Sequence, residues 1–290
     1  MRCEYCPRHC KNRRHGRCGV EDKLIVGRIA PHYWEEPVIS GEKGSGAVFF
    51  SGCALNCVFC QNKKISASAY GKIISENELD QRIKSLIEKG VHNINFVTPS
   101  HYSLFLADFL QKHNYSVPIV YNTSGYDDCV ALEKLRGKVQ IFLPDMKYSD
   151  NALAKKYSSA ADYVSVAKKA IEKMYSLAGD CEYDENGILK KGVVVRHLML
   201  PDNLENTLGV IDWFEKFSRG KKVLFSLMRQ YTPCGDLKKF PELQQKLSGG
   251  EYEKAVDYLY LNGIDGFLQE AESSSEIFIP EFNTNLDTED

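Results

Sequence analysis

No apolar run in this 290-residue chain approaches the length needed to span a membrane. The opening "MRCEYCPRHC" also lacks the charged-then-apolar layout of a secretion signal, so the chain is expected to be cytoplasmic. Neither charge sign dominates: 37 basic residues face 39 acidic ones, a formal net charge of −2. That balance leaves no electrostatic footprint for nucleic acid or for an anionic membrane. A phosphate-binding loop is missing too. "GEKGSG" (residues 41–46) precedes a strand pattern, whereas such loops follow a strand and open a helix. Cysteine, by contrast, is plentiful: there are ten, most of them at short spacings. In a reducing compartment that grouping points to metal rather than to disulfides.

The length suits one large domain or two small ones, and a single α/β domain of this size buries enough surface to need no covalent staples. Residues 1–46 read as a Cys-, Arg- and Gly-rich leader without periodicity. Residues 47–270 alternate short apolar runs with helical patterns, and residues 271–290 form a tail whose end, "NTNLDTED", is polar and expected to fray. The runs fall at 47–51, 93–98, 119–123, 139–147, 193–200 and 222–228. They are apolar on both faces and rich in β-branched and aromatic residues, as buried parallel strands are. "SENELDQRIKSLIEKG" is the clearest helix: Ser75 and Glu78 make a capping box, and Leu79, Ile83, Leu86 and Ile87 make one apolar stripe. Further helices are expected at 102–112, 127–136, 162–177 and 203–217, and a hairpin or excursion around Asn186-Gly187. Six strands with helical crossovers predict an α/β fold. The favoured form is an open, partial TIM-type (β/α)6 barrel, with a doubly wound sheet as its competitor.

"SGCALNCVFCQN" places Cys53, Cys57 and Cys60 at C-x3-C-x2-C directly after the first run, with Phe59 before the third cysteine. Three thiolates can hold three irons of a [4Fe–4S] cube and leave the fourth iron open. A zinc knuckle would favour paired C-x2-C turns, and only Cys57 with Cys60 makes one. The motif resembles that of the radical S-adenosylmethionine superfamily. Together with "HYWEEPVISGEKGSGAVFF", "NINFVTPSHY", "VYNTSGY", "FLPDMKYSD", "VVRHLMLP" and "LMRQYTP", it is similar to the uncharacterised branch related to pyruvate formate-lyase activating enzyme. The likeness spans most of residues 1–260. It implies S-adenosylmethionine chelated at the open iron and a 5′-deoxyadenosyl radical released on one-electron reduction. It implies an electron donor of flavodoxin or ferredoxin type.

Polar groups recur where the strands should end: Thr98, Ser100 and His101; Asn122, Thr123 and Ser124; Asp145 and Lys147; Arg196 and His197; Arg229, Gln230 and Tyr231. Asp145 and Lys147 lie two apart and hence on one face. By resemblance, Thr98, Ser100, His101, Asn122, Ser124, Asp145, Lys147, Arg196, His197, Gln230 and Tyr231 are expected to touch the cofactor, with Phe59 and Asn62 of the loop. The sequence also departs from the activating enzymes. Their Gly-Gly-Glu after the second strand is "TPSHY" here, their Asp-Thr pair is Asn122-Thr123, and their "PYH" is "QYT", with Thr232 in the histidine's place. Those changes put a monovalent cation site in doubt and argue for a different substrate. A monomer acting on a peptide or protein is the leading expectation. A small-molecule substrate is the alternative, and a metal scaffold without turnover the third.

"CEYCPRHCKNRRHGRC" places Cys3, Cys6, Cys10 and Cys18 at C-x2-C-x3-C-x7-C. Four thiolates close a site, so zinc (preferred) or a second [4Fe–4S] cluster would be structural or relay electrons. The adjacent arginines offset thiolate charge. Glu35 and Glu36 in "WEEP" face either a cavity or water. Cys234 in "YTPCG" lies near the strand-end rim, where a passive small residue is favoured over a hydrogen-atom or thiolate donor, and Cys129 and Cys181 receive no role.

Overall fold

The computed structural model describes residues 2–264, 266–268, 282 and 286. The first half runs β1 (Ile25–His32), α1 (Pro37–Ser40), β2 (Ser45–Phe50), α2 (Lys63–Ser66), β3 (Lys72–Ile73), α3 (Glu76–Glu88), β4 (Ile94–Val97), α4 (Ser103–Lys112), β5 (Ile119–Thr123) and α5 (Cys129–Glu133). It continues with β6 (Ile141–Pro144), α6 (Asn151–Ser158), α7 (Tyr163–Ala178), β7 (Glu182–Tyr183), β8 (Leu189–Leu198), α8 (Leu204–Ser218), β9 (Leu224–Met228), α9 (Gly249–Leu261) and β10 (Gly266–Leu268). The sheet order is β10-β9-β8-β6-β5-β4-β2-β1-β3, with β7 paired to β8. From β2 through β10 every neighbouring pair on that path is parallel; β1 and β3 add antiparallel strands at the other end. The fold is mixed α/β with a mostly parallel sheet.

All six apolar runs become strands, and the helical crossovers cover one sheet face. Because side chains alternate, Ile94, Phe96, Ile119, Tyr121, Phe142, Val193, Val195, Phe225 and Leu227 enter the large core shared with the helices. The other face carries Asn122, Asp145, Arg196, Ser226 and Met228 toward the strand ends, with Asn95 one step lower, level with Val120. Beneath these polar groups it is apolar, and Ile39 of α1 packs there against Val120, Ile141, Leu143 and Val194. Asn93 Nδ2 donates to Ile39 O at 2.7 Å and pins the plug.

β1 lies inside the stretch expected to lack periodicity. A register shift between Val26 and Arg28 breaks its alternation, and Gly27 lets Ile65 approach where a Cβ would sit 2.6 Å away. In α3, Ser75 Oγ accepts from Glu78 N at 3.1 Å, as expected of a cap. Glu78 does not reach back; its carboxylate binds Lys72 and Arg82 instead, so the capping box is half made. The hairpin around Asn186-Gly187 is the β7–β8 pair. α6 and α9 were not expected; "GGEYEKAV" opens α9 on two glycines, and Ser248 supplies its cap. Of the tail, only Phe282 and Leu286 are described: Phe282 stacks edge-on to Phe49, and Leu286 O accepts from Ile29 N. The rest of residues 271–290 lies outside the described residues.

Candidate active site

Phe50 ends β2, and the chain turns at once. Gly52 has φ +83° and a Cβ there would stand 2.4 Å from Cys18 O, so a side chain is excluded twice over. The loop that follows presents Cys53, Cys57 and Cys60 to one cleft of about 220 Å³. Each sulfur accepts a hydrogen bond: Cys53 from Leu55 N at 3.4 Å, Cys57 from Ser158 Oγ at 2.9 Å, and Cys60 from Ser66 Oγ at 3.4 Å. Burial pushes the Cys57 thiol up and the Cys60 thiol up to about 12. A lone thiolate is therefore disfavoured, and a metal taking the proton's place removes that penalty. Three sulfurs with donors behind them and an open cleft before them fit the three protein ligands of a cluster with one open iron.

Opposite the thiols, β5, β6 and β8 deliver a polar network. Arg196 donates from Nε to Asp145 Oδ1 (3.0 Å), from Nη1 to Glu35 Oε2 (2.9 Å) and from Nη2 to Asn122 Oδ1 (2.6 Å). Asn122 and Asn95 both donate to Glu35 Oε1, at 2.9 and 3.2 Å. Lys147 Nζ pairs with Asp145 Oδ2 at 2.5 Å. Burial alone would raise the Asp145 carboxyl, but Lys147 and Arg196 outweigh it and hold it below the usual range. The same pairing raises Lys147 against its own burial. The pairing favours the charged form of both.

Of the expected contacts, Phe59, Asn62, Thr98, Asn122, Ser124, Asp145, Lys147, Arg196 and Gln230 line this cleft with the three cysteines. Ser100, His101, His197 and Tyr231 do not. Ser100 Oγ is bonded to Thr123 Oγ1, which donates to the buried Asp127. His101 contacts Ser51 O and lines the leader's cavity instead. His197 adjoins Arg196 in β8, so alternation turns it to the helix face, where it binds Met146 O and Thr207 Oγ1. Tyr231 donates to Leu243 O beneath Phe59. Cys234 donates to Phe59 O, outside the cleft. Sequence reasoning left Glu35 undecided and missed Asn95 and Ser158. The last carries no local signal, being brought to Cys57 from α6 across 101 residues.

Cys3, Cys6, Cys10 and Cys18 share one small cavity with Arg8, Arg13, Arg17, Ala54 and His101. Burial, with the charges of its three neighbours added, pushes Cys6 up to about 12. Among the described residues no three His, Cys, Asp or Glu side chains form a single-ion site, so one ion would have to draw these thiols together. The leader grips the cluster loop from behind: Arg8 donates to Ala54 O (2.9 Å), Ser159 O (2.7 Å) and Ser158 O (3.1 Å). Cys53 and Ala54 are neighbours in sequence, yet one lines the cleft and the other the leader cavity.

The family model of the radical SAM superfamily matches residues 47–213, and the chain belongs to that superfamily. Membership implies an enzyme with a [4Fe–4S] cluster and S-adenosylmethionine. The uncharacterized protein MJ0674 of Methanocaldococcus jannaschii is 26% identical over 269 residues, 88% of this chain and 73% of that protein. Among solved structures, Streptococcus suis SuiB bound to precursor peptide SuiA is similar at 11% identity and a TM-score of 0.48, over 76% of this chain and 47% of SuiB. Native anSMEcpe with bound AdoMet is similar at 17% identity and a TM-score of 0.49, over 76% of this chain and 61% of that one. The chain thus spans about half to two thirds of those two structures' length. No helix among the described residues is long and apolar enough to cross a membrane.

Proposed function

We propose that the chain is a radical enzyme of the branch similar to pyruvate formate-lyase activating enzyme, taking hydrogen from a peptide or protein substrate. One observation carries the reading: Cys53, Cys57 and Cys60 share a single cleft with Asn122, Asp145, Lys147 and Arg196, from three successive parallel strands and their ends. When bound, the cluster and S-adenosylmethionine supply a 5′-deoxyadenosyl radical that accepts a hydrogen atom. The chain's own groups hold the reactants. Lys147 and Asp145 offer opposite charges to the methionyl carboxylate and amine, while Phe59 and Leu55 line the cleft beside the thiols. Among the described residues the sheet runs from β10 to β3, which supports an open, partial barrel with side access that suits a peptide segment. A cytoplasmic flavodoxin- or ferredoxin-type donor would supply the electron. The leader thiols would close on zinc or on a second cluster.

The test is anaerobic reconstitution with S-adenosylmethionine and deuterium-labelled cell-extract fractions. Cleavage to methionine and 5′-deoxyadenosine, with deuterium arriving from a peptide fraction, is expected. Deuterium from the small-molecule fraction instead would make a metabolite the substrate. No cleavage by fully loaded protein would reduce the chain to a scaffold.

A further inference from the structure

Beside the cofactor cleft lies a second chamber of about 480 Å³, and Trp34, Glu35, Arg196, Met228 and Gln230 line both. Glu36 lines the second chamber and not the first. The residue is only 7% exposed, and its Oε2 has no hydrogen-bond partner among the described residues. Arg196 Nη1 stands off at 3.9 Å, because its guanidinium is committed to Asp145, Glu35 and Asn122. Three acids, Glu35, Glu36 and Asp145, therefore share two bases, Arg196 and Lys147. A buried acceptor left without a donor is costly, and a donor arriving from outside would remove that cost. Burial, with the Glu35 charge beside it, lifts this carboxyl to about 7, against Arg196 and the Ser226 hydroxyl of the same chamber, which pull it down. Tyr33 and Trp34, 45% and 52% exposed, stand at the chamber's edge.

We infer that this chamber receives the substrate and that Glu36 selects a cationic side chain, an ammonium or guanidinium, whose alkyl stem lies along Trp34 and Met228. Calling the occupant a substrate rests on the radical-enzyme reading; the charge it must carry is what the chamber adds.

Trp213→Phe leaves Trp34, at the chamber's edge, as the single tryptophan. The metal-loaded variant is titrated with n-butylammonium, n-butylguanidinium and 1-butanol while Trp34 fluorescence is followed. At least one cation should bind saturably and about tenfold or more tighter than the alcohol, and Glu36→Gln should abolish the difference. If Glu36→Gln does not fold, Glu36→Asp, which keeps the charge beside Arg196 but withdraws it by one methylene, should weaken cation binding in the same direction. Cations that bind no better than butanol, or undiminished cation preference in a folded Glu36 variant, would overturn the inference. S-adenosylmethionine cleavage is scored in the same preparations. Cleavage without cation preference removes only this inference, and cation preference without cleavage removes only the enzyme reading.

Discussion

Lys147 and His197 are polar residues on neighbouring strands or their ends, yet they turn to opposite faces and should respond to different experiments. Lys147 shares the cleft with the thiols and is paired to Asp145. Lys147→Met keeps the apolar stem, deletes the charge and leaves Asp145 to Arg196. It should weaken S-adenosylmethionine binding by roughly 1.5–3 kcal/mol with little change in melting temperature. Wild-type affinity by calorimetry would remove Lys147 from the cofactor site. His197 is fully buried between Met146 O, to which Nδ1–H donates, and the Thr207 hydroxyl, from which Nε2 accepts. Burial lowers its pKa from 6.5 to about 4. The unfolded chain therefore takes up a proton at a higher pH than the folded one. The stability this neutral histidine contributes is complete above about 6.5 and is lost as pH falls toward 4, at most roughly 3 kcal/mol. Thermal melts of His197→Gln should be flatter than wild type between pH 6.5 and 4 while cofactor binding is unchanged; parallel curves would show that His197 does not titrate there.

At the scale of elements, the cluster loop depends on pieces remote in sequence. The C-terminal turn of α6 donates Ser158 Oγ to Cys57, and the leader's Arg8 holds the carbonyls of Ser158, Ser159 and Ala54. A hydrogen bond to a cluster sulfur stabilises the more negative, reduced state. Ser158→Ala should therefore leave iron content unchanged and lower the cluster's reduction potential by on the order of tens of millivolts. An unaltered potential in a redox titration followed by electron paramagnetic resonance would mean that the serine only fills space. The elements that do this work had different visibility. α3 announced itself through Ser75 and its apolar stripe, whereas α6, eight residues long, has no long periodic pattern and acts through one hydroxyl.

Across the whole molecule the leader is packed into the sheet and against the candidate site. β1 completes the sheet beside β2, α1 buries Ile39 under the polar floor, Glu35 is ligated into the Arg196 network, and the four thiols sit behind the cluster loop. If the leader holds zinc, anaerobically purified protein should carry about one zinc and about four irons per chain. The double variant Cys6→Ala, Cys10→Ala should then lose the zinc, keep the irons and melt at lower temperature, because metal affinity there is folding energy. About eight irons and no zinc in protein never reconstituted in vitro would instead make the leader a second cluster, one loop away from the first.

The sequence alone determined the six parallel strands, the α3 helix and the three-thiol loop, because each is written in contiguous residues; it left the order of the strands in the sheet open. Apolar runs demand burial, Ser75 caps the turn that follows it, and C-x3-C-x2-C is a local spacing. It also named Asn122, Asp145, Lys147 and Arg196, since strand ends of parallel sheets collect polar groups. Only the tertiary structure decided which side of the sheet each candidate faces, where β1 and α1 pack, and which distant donors stand behind the sulfurs. His197 fell to the helix face because alternation leaves Arg196 the cleft. Glu35 and Glu36, adjacent in the chain, met different fates because one reached Arg196, Asn95 and Asn122 while the other was buried with an acceptor unused. Pairings across 50 to 160 residues depend on how the sheet twists and what plugs it, and no local pattern encodes that.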